Sequence, residues 1–435
     1  MVICLCCSKV ALADNSTEIF ISDRSARALT HVRAGLSEDE LDQFALGRSF
    51  FTIPWVQAPA ATTARDGLGP LFSANSCVSC HPNNSGGSAI SEAGLIDRSI
   101  VIRLSRAPTS GALPQDLLPD PVYGAQLSIN GSIEVPFEAQ VQVTLKSQRL
   151  TYNDGASVTL NTPEFHLNHF NYGPLDSRTR LHPRRALSLV GMGLIEQIPE
   201  QQILAREDIE DNDGDGISGK VNRVWSVEQQ RLRPGRYGWK ASLSSLLEQT
   251  AHALNHDMGL TSDLFPESSC SLHQVACTTA ASGGQPEVPM SRLQAIRFYL
   301  AQLRLPRPDS AQALEGEHLF RSVGCIRCHQ TGFKTPDGLT LDPYSDFLLH
   351  DMGPQLADDS QVYLAEAAEW RTPPLWGIGL ARVLNPKAGY LHDGRAQTLE
   401  QAILWHGGEA EASRQAFMGL PVDQRSALII FLQSL

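Results

Sequence analysis

The stretch Cys325-Ile326-Arg327-Cys328-His329 has a second copy in this chain, Cys77-Val78-Ser79-Cys80-His81. Cys-x-x-Cys-His is the attachment sequence for c-type haem. The two thiols lie one turn apart, so that both can bond the vinyl groups of one porphyrin, and the neighbouring histidine becomes the proximal ligand of the iron. The two copies therefore predict two covalently bound haem c groups.

Two other uses of paired cysteines explain the motifs less well. A zinc site built from two cysteine pairs does not require a histidine after each pair. A thioredoxin-like dithiol has a strand before it and a helix after it, and neither flank indicates that arrangement.

Composition limits the classes of function. The 435 residues are 42% hydrophobic and 19% charged, which is typical of a globular protein of two or three domains. The formal net charge of −12 argues against nucleic-acid binding, which requires a basic surface, and it favours docking to a basic redox partner. No apolar run reaches the length of a membrane span, so we do not expect an integral membrane protein.

The N-terminus is similar to the end of a secretory signal peptide. Residues 2–12 are apolar and run into Ala11-Leu12-Ala13, a small-residue cleavage pattern. No positive segment precedes them, so we interpret residues 1–13 as the remainder of a leader that starts upstream; a frayed mature terminus is the alternative. Because haem c is attached outside the cytoplasm, we expect a periplasmic protein. In that oxidising compartment Cys270 and Cys277 are expected to form a small disulfide loop.

The surroundings of the two motifs indicate a diverged internal repeat. Residues 316–325 carry a glycine, an apolar pair and a Gly-Cys step, typical of the first helix of a cytochrome c domain entering its haem turn. Residues 422–435 have apolar spacings of three and four, typical of the helix that closes such a domain. In the N-terminal half, residues 69–72 lead into the first motif, and residues 293–303 have the texture of the closing helix.

A proline-bearing linker at residues 304–309 separates the halves. We therefore predict two cytochrome c-like haem domains, over residues 14–307 and 308–435. Alternating apolar residues over 128–160, with a turn at 153–155, predict a small β-meander in the first domain. The expected fold class is mainly α, with the first domain enlarged by this meander and by loop insertions.

Residues 211–222, DNDGDGISGKVN, match the first half of a calcium-binding loop. Asp211, Asp213 and Asp215 occupy loop positions 1, 3 and 5, and Ile217 offers its carbonyl at position 7. Position 12 is Asn222 rather than the usual bidentate glutamate, so we expect a Ca²⁺ site of modest affinity. An acidic surface turn is the alternative.

Six further stretches are more specific than the haem motifs alone. They are GMGLIEQIPE at 191–200, GRYGWKA at 235–241, HDMGLT at 256–261, PYSDFLLHDMG at 343–353, WRTPPLWGIGL at 370–380 and LHDGR at 391–395. With them, about residues 40–435 resemble the di-haem oxidoreductase family, which is related to bacterial di-haem cytochrome c peroxidases.

The resemblance implies a sixth ligand for the second haem. In the related peroxidases a methionine supplies it, fourteen residues after the histidine of a His-Asp-Gly turn. Counting from His392 leads to His406, so we expect an iron held by His329 and His406 that is closed to substrate and relays electrons. Histidine in place of methionine lowers the reduction potential. The alternatives are a merely hydrogen-bonded His406 at a helix end, or His392 as the ligand.

The resemblance places catalysis at the first haem, where peroxide cleavage needs an open iron and a group that moves a proton. In the relatives a tryptophan between the haems is followed ten residues later by glutamine and then by glutamate. Trp239 and Gln249 have that spacing, and Asp257 replaces the glutamate after a two-residue deletion. We expect Trp239 to bridge electrons, Gln249 to position peroxide and Asp257 to act as acid and base. The structural alternatives are a packed core position for Trp239, a helix-surface position for Gln249 and a helix N-cap for Asp257.

His252 and His256 lie on the same segment, and either could bind the first iron and close it. Relatives that close this site use a histidine soon after the first haem motif, and this chain has none between His81 and His166. A five-coordinate first iron is therefore expected.

The sequence thus predicts a peroxidase-like oxidoreductase. A small redox protein or other donor reduces the second haem, and the first haem reduces hydrogen peroxide or oxidises an unidentified substrate. The alternative is a non-enzymatic electron-transfer cytochrome with two six-coordinate irons, and a calcium-dependent binding module that carries haem for structure ranks third. The sixth ligand of the first haem separates enzyme from carrier.

Overall fold

The computed structural model describes residues 19–106, 118–309 and 313–435. The predicted signal-peptide remnant, residues 1–13, lies outside the described residues. The helices in these ranges are α1 (Glu38–Thr52), α2 (Met192–Gln197), α3 (Glu200–Leu204), α4 (Leu246–Met258), α5 (Val275–Thr278), α6 (Met290–Ala301), α7 (Leu314–Ser322), α8 (Ala381–Leu384), α9 (Leu399–Leu404), α10 (Glu411–Gly419) and α11 (Val422–Ser434). The strands are β1 (Phe20–Ile21), β2 (Leu71–Phe72), β3 (Gly94–Leu95), β4 (Ile100–Arg106), β5 (Asn130–Gly131), β6 (Gln140–Thr151), β7 (Ser157–Asn168), β8 (Thr179–Arg185), β9 (Arg223–Ser226), β10 (Arg231–Pro234), β11 (Leu305–Pro306), β12 (Phe333–Lys334), β13 (Thr340–Leu341), β14 (Leu349–Asp351) and β15 (Glu369–Arg371).

Two pairs of crossing helices frame the haem motifs. α1 packs against α6 in the N-terminal half, and α7 packs against α11 in the C-terminal half. Each crossing has a glycine at its closest approach: a side chain on Gly47 would collide with the carbonyl of Ala295, and one on Gly316 with the carbonyl of Ala427. Glycine therefore lets the backbones meet. The predicted helices on both sides of the second motif, and the closing helix of the N-terminal half, are confirmed.

The opening helix of the N-terminal half lies further from its motif than expected. Residues 69–72 do not form a helix, because strand β2 lies there and pairs with β5. The counterpart of α7 is α1, where Gly47-x-x-Phe50-Phe51 repeats the spacing of Gly316-x-x-Leu319-Phe320. The connection between α1 and the first motif is longer than that between α7 and the second motif, so the correspondence is not evident from the sequence.

The prediction of a mainly α fold is wrong. Helices make up 29% of the chain and strands 21%, so the chain is not of one class. Within the described ranges the strands form seven small sheets of two or three strands. The physical reason for the error is that short strand pairs in the connections, such as β9 with β10 and β14 with β15, contain too few residues for a period of two to be recognised.

The predicted β-meander is confirmed as a long hairpin. β6 and β7 pair antiparallel along their whole lengths, and β3 pairs with the other edge of β6. Gly155 adopts φ +86 in the connecting turn, a conformation that favours glycine. The tip of the hairpin reaches the C-terminal half, where Tyr152 donates a hydrogen bond to Glu400 (2.7 Å) and Arg425 pairs with Asp154 (2.6 Å).

Two apolar cores join the halves. The larger core combines residues of the N-terminal half with Phe333, Phe347 and Trp376. The smaller core surrounds the second motif and includes Tyr152 and Leu160 from the hairpin. Both cores cross the proposed boundary, so the division into residues 14–307 and 308–435 stays a prediction. None of the described helices is long and apolar enough to cross a membrane.

Cysteine pairing separates structural thiols from those of the motifs. Cys270 and Cys277 form the predicted disulfide. The free thiols in the described ranges are Cys77, Cys80, Cys325 and Cys328. Free thiols are what thioether bonds to a porphyrin require.

The substitution Gly316→Ala tests the close helix crossing. The added methyl group would collide with the Ala427 carbonyl, so we expect the free energy of unfolding to fall by about 1–3 kcal/mol. Gly419→Ala in α10 is the matched control, because the space around Gly419 is open and the expected change is less than about 1 kcal/mol. Chemical denaturation of the haem-loaded protein, followed by circular dichroism, measures both. Equal stability of the two variants would contradict the crossing.

Candidate functional site

The second Cys-x-x-Cys-His motif follows α7 through a tight turn. Gly324 adopts φ +92 and redirects the chain after the helix. Cys325–Arg327 then form a 3-10 turn, and the His329 N–H donates to the Cys325 carbonyl (3.0 Å). This turn places Cys325, Cys328 and His329 on the wall of a mostly apolar cavity of about 260 Å³.

Two histidines line this cavity with the same arrangement of ring nitrogens. His329 donates from Nδ1 to the Tyr344 carbonyl (2.9 Å), and His406 donates from Nδ1 to the Ala402 carbonyl (2.7 Å). A neutral ring with its proton on Nδ1 keeps the lone pair on Nε2, where a metal binds. Burial lowers the pKa of both rings, that of His329 to about 4, so both are neutral. His329 and His406 would therefore suit as the two protein ligands of one haem iron.

Two buried arginines line the cavity, and neither has a carboxylate partner in the described part of the chain. Arg185 donates to backbone carbonyls, including that of Leu391 (3.0 Å), and Arg371 donates to the carbonyl of Gly238 (2.8 Å). Burial lowers the pKa of each guanidinium to about 10, which leaves both charged at neutral pH. Buried cations require anionic or polar neighbours, and haem propionates are such anions. Thiols, imidazoles, apolar walls and cations together fit one haem c.

An aromatic series borders the same cavity. His392 stacks on Trp370 with ring centroids 3.8 Å apart. The rings of Trp239 and His392 are T-shaped, with centroids 6.5 Å apart. The Trp239 indole N–H donates to the Arg185 carbonyl (2.7 Å), which fixes the plane of the ring. His392 is thus held in an aromatic stack, and Trp239 is held rigidly beside the cavity.

The first motif forms the same kind of turn as the second. Cys77–Ser79 make a 3-10 turn, and His81 donates from Nδ1 to the carbonyl of Ser85 (3.3 Å), a residue that lines the cavity together with Trp239. Burial raises the pKa of Cys77 to about 12 and lowers that of His81 to about 4. A neutral thiol does not suit a reactive dithiol, whose nucleophile is the thiolate. A neutral imidazole with its proton on Nδ1 keeps the lone pair of Nε2, which suits haem iron, so these residues also fit haem c.

Helix α4 presents a polar face near the first motif. A capping box of Ser245 and Glu248 begins the helix. Backbone N–H groups at Ser73 and the next residue, shortly before Cys77, donate to the last turn of α4. Most of the helix is buried, and the partly exposed positions share one face. They are Gln249, His252, Ala253, His256 and Asp257.

Two histidines stack on this face of α4. The rings of His252 and His256 have centroids 4.1 Å apart. Nη2 of Arg103 lies 3.4 Å from Nδ1 of His252, and Nδ1 of His256 lies 3.1 Å from the His252 carbonyl oxygen. Burial lowers the pKa of both rings, that of His256 to about 3, so both are neutral.

Asp257 lies beside the stacked histidines. Its Oδ1 accepts a hydrogen bond from the Gln126 amide (2.8 Å). Burial raises the pKa of this carboxyl, against the opposing effects of Arg103 and Gln126. A raised pKa brings a carboxylic acid closer to neutral pH, where it can release and accept a proton. The amide oxygen of Gln249 is close to Gly238, next to Trp239. The catalytic roles of Trp239, Gln249 and Asp257 stay predictions.

The predicted calcium loop brings three of its residues together. Carboxylate oxygens of Asp211, Asp213 and Asp215 lie within 4.8 Å of one another. Asn222 is hydrogen-bonded elsewhere: its side chain is buried and donates to the carbonyl of Lys240 (2.7 Å).

The loop is also attached to the second haem motif. The Ile217 N–H donates to Asp215 Oδ1 (3.0 Å), and Arg327 of the motif donates to the Asp215 carbonyl (3.1 Å). Ile217 also lines the cavity of the second motif. Calcium at this loop stays a prediction.

A buried ion cluster adjoins the second motif, and no motif in the sequence indicates it. His350 Nε2 lies 2.8 Å from a carboxylate oxygen of Asp346, and Nδ1 lies 2.8 Å from one of Glu409. Cys328 Sγ, a carboxylate oxygen of Asp346 and a ring nitrogen of His350 lie within 4.8 Å of one another. Burial alone would lower the pKa of His350, but the charge of Asp346 raises it well above its usual value. The ring is therefore an imidazolium that offsets one of the two carboxylates.

Four further site residues were missed: Arg103, Gln126, Arg185 and Arg371. Only Arg371 lies in a stretch that marks the family resemblance, WRTPPLWGIGL. The other three stand on strands or loops more than fifty residues from the groups they contact, and no local pattern indicates such contacts.

A sequence model of the family described as "Di-haem oxidoreductase, putative peroxidase" matches residues 8–435. None of the curated proteins matches this sequence. Among solved structures, xenon-pressurised hydrazine synthase from Kuenenia stuttgartiensis is similar over 39% of this chain, at 19% identity and a TM-score of 0.25. The similarity spans 63% of that structure's chain, less than two thirds of its length, and a likeness this weak carries no argument.

Paired cysteine substitutions test the number of covalent haems. We expect two haems on the natural chain, and one after Cys77→Ser with Cys80→Ser, because thioether bonds require the thiols. Mass spectrometry of the denatured chain counts them, since haem held only by its iron dissociates. The control is Cys270→Ser with Cys277→Ser, which removes the disulfide and should leave both haems. A natural chain without covalent haem would contradict the assignment.

Proposed function

Because the chain belongs to the di-haem oxidoreductase family, we propose that it is an exported di-haem c-type cytochrome acting as a peroxidase-like oxidoreductase. The observation that carries the proposal is the difference between the two haem sites. At the second motif, the neutral imidazoles of His329 and His406 line one cavity. Near the first motif, α4 presents Asp257 and two neutral histidines instead. The second site therefore suits a six-coordinate iron, and the first site suits proton transfer.

The reaction that fits this arrangement is H₂O₂ + 2 e⁻ + 2 H⁺ → 2 H₂O, with both electrons from an external donor. When bound, the haems supply the electron storage and oxygen chemistry that no side chain provides. The chain's own residues position the peroxide, fix the electron bridge and move protons.

Proton movement is assigned to the carboxyl group of Asp257. The Gln126 amide holds this carboxyl in place, and its raised pKa favours proton exchange. Asp257 takes the proton from the first peroxide oxygen and gives it to the second, which leaves as water when the O–O bond breaks. Two electrons from the donor and two protons from solvent then convert the first oxygen to the second water. Gln249 positions the peroxide.

Electron transfer is assigned to Trp239, and a second haem held by His329 and His406 would supply electron storage. The indole of Trp239, hydrogen-bonded to the Arg185 carbonyl, lines the cavity of the second motif together with Ser85, which follows the first motif. The net charge of −12 supports a small basic redox protein as electron donor. Covalent haem attachment outside the cytoplasm supports a periplasmic location.

A second candidate function is electron transfer without catalysis. It is supported by His256, whose Nδ1 is bonded to a carbonyl so that Nε2 keeps a lone pair that could bind the first iron. Both irons would then be six-coordinate, and the oxidisable or reducible substrate would be another redox protein.

Electron paramagnetic resonance of the oxidised, haem-loaded protein separates the two functions. We expect a high-spin signal from the first iron beside a low-spin signal from the iron held by His329 and His406, and peroxide should consume the high-spin signal. The same measurement on half-reduced protein covers an iron that opens only after reduction. Two low-spin signals that peroxide leaves unchanged in both states would make the protein an electron carrier.

The variant Trp239→Phe tests the electron bridge. It keeps an aromatic ring but removes the indole N–H that bonds the Arg185 carbonyl, so we expect peroxide to reoxidise the second haem about tenfold more slowly or worse. Stopped-flow absorbance of the reduced second haem measures that rate. Trp225→Phe is the control, because Trp225 is 45% exposed in β9, away from the cavity lining. Equal rates for both variants would contradict the role of Trp239.

A further inference from the structure

The stacked histidines of α4 carry their ring protons on different nitrogens. Arginine has only donor groups, so the contact with Arg103 makes Nδ1 of His252 the acceptor and leaves the proton of the neutral ring on Nε2. A carbonyl oxygen only accepts, so the contact with the His252 carbonyl makes Nδ1 of His256 the donor and leaves a lone pair on its Nε2. The pair therefore offers one N–H donor and one lone pair on the same face of the helix.

Arg103 adds a fixed positive charge at this place. It extends from β4, and its guanidinium forms no ion pair with any carboxylate of the described ranges. Burial lowers its pKa to about 10, while the charge of Asp257 acts in the opposite direction, so the group stays charged at neutral pH. A partly buried cation that no salt bridge neutralises favours a ligand on which negative charge develops.

Gln126 contributes an acceptor without a partner. Its amide N–H groups donate to the His256 carbonyl (2.9 Å) and to Asp257 Oδ1 (2.8 Å), which fixes the orientation of the amide. Its Oε1 is buried and has no hydrogen-bond partner among the residues that the structure describes. A buried acceptor of this kind indicates a water or ligand that donates a hydrogen to it.

We propose that His252 and Gln126 bind the peroxide at the first haem, and that Arg103 is the positioning residue that keeps His252 a donor. Hydrogen peroxide matches these groups because it both accepts and donates hydrogen bonds. His252 Nε2–H donates to one peroxide oxygen, and a peroxide O–H donates to Gln126 Oε1. The charge of Arg103 stabilises the hydroperoxide that forms when Asp257 takes a proton. This assignment rests on the proposed function.

The assignment also separates the two rival iron ligands. An imidazole whose Nε2 carries a proton has no lone pair there for iron, so Arg103 keeps His252 from closing the first site. Removal of Arg103 releases His252 to exchange tautomers. Substitution of Arg103 is therefore expected to weaken the binding of a small anion beside His252 and to permit a new low-spin iron.

Fluoride tests the assignment, because it binds an open ferric haem and only accepts hydrogen bonds. Titration of the oxidised and half-reduced holoenzyme, followed by visible absorption, gives its affinity. Arg103→Met is expected to lower the affinity for fluoride at least about tenfold and to shift the charge-transfer band of the fluoride complex. Arg106→Met is the matched control on the same strand, because Arg106 pairs with Asp176 (3.2 Å) away from α4; it should leave affinity and band unchanged. His252→Leu should reproduce the loss, and His252→Gln, which keeps an N–H donor, should recover part of it.

Three outcomes are distinguishable. If fluoride binds the natural protein and the Arg103 and His252 variants bind it equally well, this assignment is overturned while the proposed function stands. If the natural protein binds no fluoride in either redox state, the first iron is closed, and the proposed function and the assignment both fail. If Arg103→Met does not fold, the His252→Leu and His252→Gln pair decides between the first outcome and the expected one.

Discussion

One hydrogen bond recurs at every predicted iron ligand: an imidazole Nδ1 donates to a backbone carbonyl. It holds His81 on Ser85, His329 on Tyr344 and His406 on Ala402. Burial makes the bond necessary, because an unpaired N–H in an apolar cavity costs free energy. The bond also fixes the tautomer and the direction of Nε2. The turns and helices around the motifs therefore position the three carbonyl oxygens that accept these hydrogen bonds.

The two halves use one frame for different purposes. Each has a pair of helices that cross at a glycine and enclose a Cys-x-x-Cys-His turn. In the C-terminal half, apolar side chains and a second imidazole, that of His406, line the cavity next to the turn. In the N-terminal half a much longer connection supplies β4 and α4, and with them Arg103 and the polar helix face. The halves thus differ in the residues that surround the turn rather than in how the thiols are presented.

Much of the site could be predicted from the sequence, because the motifs are local. The thiols, the proximal histidines, His406 and the long hairpin follow from spacing, resemblance or alternation, and the structure brings His329 and His406 to one cavity. The fold class was wrong because strand pairs of two to four residues leave no periodic signal. Arg103 and Gln126 could not be predicted either, since their contacts with α4 depend on how β4 and a distant loop pack. Asn222 illustrates the reverse case: its place in a loop pattern suggested a ligand, but tertiary packing engages its side chain elsewhere.

The hairpin of β6 and β7 bears on how such proteins can be recombined. Leu160 on β7, and Tyr152 in the turn between the strands, complete the core around the second motif, and Asp154 at the tip pairs with Arg425 of the closing helix. A C-terminal half excised at residue 308 would lose one wall of its own core. The halves are consequently not interchangeable modules: a chimaera that exchanges one haem-binding half between two members of the family must carry the matching hairpin with the half that the hairpin covers, not with the half that encodes it.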